Sequence, residues 1–138
     1  MVETETHGTV TFSLGGMTFE YDSAKEEANI RKHGISFRTA ARVFFDEDYI
    51  EALDPAHSDD EPRYDVIGDT SAGNIEHIGR TVIGNVDKFV DDVNDILYVV
   101  YTERVRKITN GKTEEIIRLI SARLATNFER GLYYGQYI

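Results

Sequence analysis

The chain has 138 residues, no cysteine, and a formal net charge of −10 from 25 acidic and 15 basic side chains. This length suits one domain with a single core, and the missing cysteines exclude a disulfide framework, a thiolate metal site and a thiol nucleophile. An apolar content of 41% is that of a globular protein, no apolar run is long enough to cross a bilayer, and Met1–Glu5 lacks the features of a secretory signal, so a soluble cytoplasmic domain is expected.

In chain order, Thr9–Leu14 and Met17–Tyr21 are β-prone and joined by Gly15-Gly16, a hairpin signal. Asp22 or Ser23 then caps a helix reaching about His33, with Glu26 placed to close a capping box on Ser23. Gly34 is the left-handed stop. Ser36 caps a second helix, whose Phe37, Ala40, Ala41 and Phe44 form an apolar stripe. Tyr49–Leu53 reads as a short strand and Asp54–Asp60 as a loop. Arg63–Gly68 and Arg80–Gly84 resemble each other, each an arginine leading a β-branched strand into a glycine, with polar loops at 69–79 and 85–95. Ile96–Thr102 is apolar on both faces and reads as a central strand. Asn110-Gly111 marks a hairpin into Glu114–Ala122. Thr126, with Glu129 three residues on, caps a terminal helix carrying Phe128, Leu132 and Tyr133 on one side. The expected fold class is α+β: two N-terminal helices and a short C-terminal helix packed on an antiparallel sheet.

The charge is unevenly placed. Residues 1–45 carry −1, residues 46–95 carry −12 and residues 96–138 carry +3. Acidity of this size works against tight nonspecific binding of RNA or DNA, while the mildly basic final third leaves room for a nucleic-acid site there.

Four groups could do chemistry: Lys32-His33; His57-Ser58 with Glu61 and Arg63; Glu103-Arg104; and Arg118 with Arg123. Each has a plainer explanation. Cations at a helix C-terminus complement its dipole, exposed ion pairs contribute little, and Arg118 and Arg123 face opposite sides of a strand unless a bulge intervenes. His7, His33, His57 and His77 are scattered, with no helical ligand pair, calcium loop or phosphate-binding glycine motif, so no metal and no cofactor are expected.

Taken together these groups resemble the BrnT family of ribonuclease toxins from type II toxin–antitoxin pairs. Phe19–Lys25 is similar to the family's opening strand and helix cap. Asn29, Lys32, His33, Gly34, Ile35, Phe37 and Ala40 match N-x-x-K-H-G-[IV]-x-F-x-x-A, and Asp54, His57, Ser58, Glu61 and Arg63 match D-x-x-H-S-x-x-E-x-R. Val99–Arg104 resembles V-V-[HY]-T-E-R, and Ile120–Thr126 resembles I-S-A-R-x-A-T, followed by Glu129-Arg130. The likeness spans about residues 18–134. An N-terminal β extension at about 9–16 and an insertion at about 69–95 depart from short members, as does the acidity. Arg63 or Arg80 therefore takes the family's arginine position.

The resemblance implies one RelE-like toxin domain that cleaves RNA without a metal and so inhibits translation and growth. His33 or Glu103 transfers protons, while Lys32, Arg63 or Arg80, Arg104 and Arg123 hold the phosphate. The catalytic set on this reading is Lys32, His33, Glu103, Arg104 and Arg123, gathered at one edge. Arg63, Arg80, Tyr101 and Arg118 bind substrate, with Tyr101 stacking on a base. The implied partner is a BrnA-like ribbon-helix-helix antitoxin through which operator DNA is bound, and the acidic stretch Asp46–Asp69 is a surface suited to a basic partner. The alternative is a catalytically weak toxin-derived module that acts only through that antitoxin.

Overall fold

The computed structural model describes residues 8–53, 61–73 and 94–135. In chain order the elements are β1 (Thr9–Leu14), β2 (Met17–Asp22), α1 (Ser23–His33), α2 (Phe37–Ala40) running on as a 3-10 turn (Ala41–Phe45), β3 (Ile50–Leu53), β4 (Tyr64–Asp69), a 3-10 turn (Thr70–Gly73), β5 (Ile96–Lys107), β6 (Thr113–Leu124) and α3 (Asn127–Gly135). His57, Ser58 and Arg80, and most of the expected insertion, lie outside the described residues.

The architecture is α+β, with one six-stranded sheet ordered β1-β2-β6-β5-β4-β3. The expected antiparallel sheet is in fact mixed, because β2 pairs with β6 in parallel, Phe19 opposite Ile117 and Glu20 opposite Arg118. Gly15 and Gly16, at φ 57 and 84, make the tight turn that sets β1 antiparallel to β2. No local signal describes the other side of β2, whose neighbour arrives at the far end of the chain.

Asp22 is the cap of α1, its Oδ1 accepting the Ala24 N–H at 2.9 Å. The Ser23 N–H goes to the Gly8 carbonyl at 3.1 Å, and Glu26 reaches past the helix, its Oε2 accepting the Phe37 N–H at 2.9 Å. It thus helps cap α2 beside Ser36, whose Oγ accepts the Thr39 N–H at 3.2 Å. Gly34, at φ 73, ends α1 with its N–H on the Ile30 carbonyl at 2.8 Å. The second N-terminal helix is shorter than its apolar stripe implied, one α turn that tightens to 3-10 from Ala41.

Asn29 is the single buried side chain of α1. Its Nδ2 donates to the Ile35 carbonyl at 3.0 Å and the Ala122 carbonyl at 2.9 Å, and its Oδ1 accepts the Ala122 N–H at 3.1 Å. By the β2–β6 register, β2 has left the edge of β6 before Ala122. The carboxamide therefore takes the place of a strand backbone there, satisfying both groups of one β6 residue.

The main core lies between the sheet and the α1–α2 layer and includes Phe19, Tyr21, Ile35, Phe37, Val43, Val66, Leu97, Val99, Tyr101 and Leu119. Gly68 lets the 3-10 turn close on β4: a Cβ there would lie 2.9 Å from Val43 Cβ and 3.1 Å from its carbonyl oxygen. Strand alternation puts Ile67 and Ile96 on the opposite face, where they form a smaller cluster with Ala125 and Tyr133 under α3. Phe128 and Leu132, expected on one side with Tyr133, point outward instead, Phe128 being 75% exposed.

Candidate active site

Strands β5 and β6 are each twelve residues long, about twice the length of their outer neighbours. β4 ends its pairing with β5 at Tyr101, and β2 pairs with β6 around Ile117 and Arg118. From Glu103 through Thr113 the hairpin is exposed throughout, a two-stranded ribbon beyond the sheet. A cavity of about 630 Å³ lies at its root, lined by Thr18, Phe44, Tyr49, Glu51, Tyr101, Glu103, Arg104 and the start of β6, among others.

Two expected site residues, Glu103 and Arg104, therefore share a cleft. The cleft also holds the Glu51 carboxylate of β3, a residue that no motif in the sequence marks. Burial and the neighbouring charge of Glu103 hold the Glu51 carboxyl above the usual glutamate range. Burial, then the charges of Glu51 and Glu103, also push the Tyr49 hydroxyl up. Two carboxylates and a phenol thus border one space. Arg104 leaves the strand on the side opposite Glu103 by alternation, its Nη2 3.0 Å from Glu61 Oε1 in an exposed ion pair. Proximity to Glu103 across the sheet, rather than any motif around Glu51, is what singles out Glu51.

Arg123 lies elsewhere. It pairs across the ladder with Tyr98, five residues along β5 from Glu103 and so about 17 Å away. Its guanidinium forks onto Glu129 at 2.8 and 2.9 Å, donates to the Leu124 carbonyl at 3.2 Å, and lies 4.2 Å from the centre of the Tyr98 ring. The pairing pulls the Glu129 carboxyl below its ordinary range and Arg123 above its own. Glu129 also closes the expected capping box, its Oε1 accepting the Thr126 N–H at 2.9 Å while Thr126 Oγ1 accepts the Glu129 N–H at 3.2 Å.

A register shift between Val100 and Tyr101 places Ile120 as an extra residue in β6. Arg118 and Arg123 consequently share one face despite their opposite parity. Arg118 pairs with Glu20 at 2.8 Å. Lys32 and His33 lie one helical turn beyond Asn29, at the Ala122 end of β6, so the five expected catalytic residues divide between the two ends of the strand. Tyr101 is 2% exposed, stacked on Tyr64 at 5.4 Å and met edge-on by Phe44 at 5.0 Å, so the expected base-stacking ring is a core ring. Arg63 precedes β4, beside the Pro62 carbonyl that accepts from Thr102 Oγ1 at 2.8 Å. Asp46 is buried rather than part of an acidic surface, its Oδ2 accepting from the Tyr133 hydroxyl at 2.6 Å and the Asp69 N–H at 2.8 Å.

Among the described residues no helix is long and apolar enough to cross a membrane. No curated protein matches the chain. Residues 21–88 match the family model described as ribonuclease toxin, BrnT, of type II toxin–antitoxin system. The matched span covers α1, the Asn29–Phe37 corner, β3 and β4, and ends before the strands carrying Glu103, Arg104 and Arg123. A toxin of a type II pair has an antitoxin as its partner. Over this span, which includes the Asn29-to-Ile35 bridge, the chain is similar to the BrnT family of type II toxin–antitoxin ribonuclease toxins.

Proposed function

We propose that the protein is an endoribonuclease that cleaves RNA without a metal ion and that its chemistry takes place in the cleft at the root of the ribbon. Cleavage by the ribose 2′-hydroxyl needs a base for that proton, an acid for the departing 5′-oxygen and a cation for the charge of the phosphorane. Glu103 is the base. Glu51, whose carboxyl burial and the charge of Glu103 hold above the usual glutamate range, is the acid. Arg104 follows Glu103 at the edge of the cavity, its side chain on the opposite face, and its exposed pair with Glu61 is one that a phosphate reaching round the strand can replace at little cost. The observation that carries the reading is the Glu51–Glu103 pair in a cavity bordered by arginine, in a chain similar to a ribonuclease-toxin family. The antitoxin on this reading is a BrnA-like ribbon-helix-helix protein that masks the toxin and carries operator binding.

The test is cleavage of single-stranded RNA by purified protein in EDTA, with analysis of the product ends. The expected product ends in a 2′,3′-cyclic phosphate. Glu103→Gln is expected to lower the rate about 100-fold or more, and Glu51→Gln to remove the alkaline limb of the pH–rate profile. Cleavage at the wild-type rate by both variants, or none by the wild type, overturns the proposal.

A further inference from the structure

The ribbon is net positive in a chain whose remainder is net negative. Residues 104–113 hold Arg104, Arg106, Lys107 and Lys112 and no carboxylate, in a protein of net charge −10. All four side chains are exposed, and so are Val105, at 69%, and Ile108. Glu103, Glu114 and Glu115 flank the stretch at its root, so the positive field is concentrated toward the tip. Lys107 stands opposite Thr113, and the Ile108 N–H bonds the Lys112 carbonyl at 2.9 Å, which brings both lysines to the end of the arm. The Thr109–Gly111 turn joins them, with Asn110 and Gly111 in the left-handed region at φ 68 and 74.

We infer that this ribbon is an RNA-binding arm that grips the phosphate backbone of a single strand and leads it into the cleft at its root. The inference rests on the ribonuclease reading of that cleft and names how the substrate reaches it. Arg104 and Arg106 are two residues apart on one strand and so share a face about 7 Å apart, a separation of the order of that between successive phosphates along a strand. Their existing partners, Glu61 at 3.0 Å and Glu114 at 2.6 Å, are exposed ion pairs that exchange readily for phosphate. No ion pair of Lys107 or Lys112 is found among the described residues. An acidic protein would be attracted by the same cations. RNA is favoured because the cations follow the cavity-lining residues Glu103 and Arg104 along the same hairpin.

The experiment compares the full chain with Lys107→Ala/Lys112→Ala and with Lys107→Glu/Lys112→Glu, none of which alters a cleft residue. Binding is read by fluorescence anisotropy on a labelled 2′-O-methyl RNA, which offers phosphates but no 2′-hydroxyl to attack, and cleavage is read separately on unmodified RNA. The alanine pair is expected to weaken binding on the order of tenfold at 0.1 M salt. The slope of log affinity against log salt is expected to fall by about 0.7 for each phosphate contact removed. The glutamate pair is expected to weaken binding further, and melting temperatures should not move. Unchanged affinity and slope in both variants overturn the arm while leaving the cleft reading intact. Arm-dependent binding by a wild-type protein that does not cleave removes the nuclease reading and keeps the arm. Intact RNA binding with lost affinity for the antitoxin transfers the surface to a protein partner and overturns the inference.

Discussion

Asn29 shows how one side chain can do the work of a missing strand. A helix with an exposed Ile30 and no buried apolar residue has little hydrophobic reason to stay on a sheet. Its three hydrogen bonds to Ile35 and Ala122 supply that reason. Asn29→Ala would leave two carbonyls and one N–H without these partners in a buried setting. We predict a loss of about 2–4 kcal/mol, read as a lower urea midpoint at unchanged m-value. A loss under about 0.5 kcal/mol would show that water replaces the carboxamide there. The importance of Asn29-x-x-Lys32-His33-Gly34 was visible in the residues, but its direction was not. The pattern points to Lys32-His33 as the chemistry, whereas the folded chain uses Asn29 itself to hold the corner together. Glu51 shows the reverse: nothing around it in the sequence marks it, because its neighbour Glu103 comes from another strand of the sheet.

Among the elements, α3 depends most on one carboxylate. Glu129 caps its own helix and forks onto Arg123 of β6, while Arg130 reaches Asp95 at 2.8 Å and Tyr133 reaches Asp46. The carboxyls of Glu129 and Asp95 are both held below their ordinary ranges, chiefly by these arginines. A carboxyl depressed in the folded state stabilises fully above its unfolded pKa, about 4.3 for glutamate. That contribution is lost as pH falls through the folded value. Glu129→Gln is therefore expected to cost about 1–2 kcal/mol at neutral pH, and the gap from wild type should close in acid. A gap of the same size at pH 3 would argue that capping geometry, not charge, holds α3. The capping box itself was legible from Thr126 and Glu129, since it is local. The outward turn of Phe128 and Leu132 was not, because which side of a helix is covered depends on the sheet beneath it.

Over the whole molecule, charge sets a conflict between stability and the proposed binding. Like-charge repulsion among 25 carboxylates opposes compaction, so added salt should raise the melting temperature by screening it. The same salt should weaken RNA binding by the ribbon. Calorimetry and anisotropy across one salt series are expected to move in opposite directions, and a melting temperature that falls with salt would sink the repulsion argument. The hairpins at Gly15-Gly16 and Asn110-Gly111, the glycine stop at Gly34 and the capped helix after Thr126 were determined by the sequence alone. Each depends on residues within a few positions of one another. The tertiary structure alone decided the parallel β2–β6 pairing, the bulge that puts Arg118 and Arg123 on one face, and the separation of Arg123 from Glu103. It likewise decided that β5 runs past Thr102, where apolar patterning ends and only pairing with β6 sustains the strand. These are relations between segments far apart in the chain, determined by which surfaces can be buried together, and no local pattern encodes them.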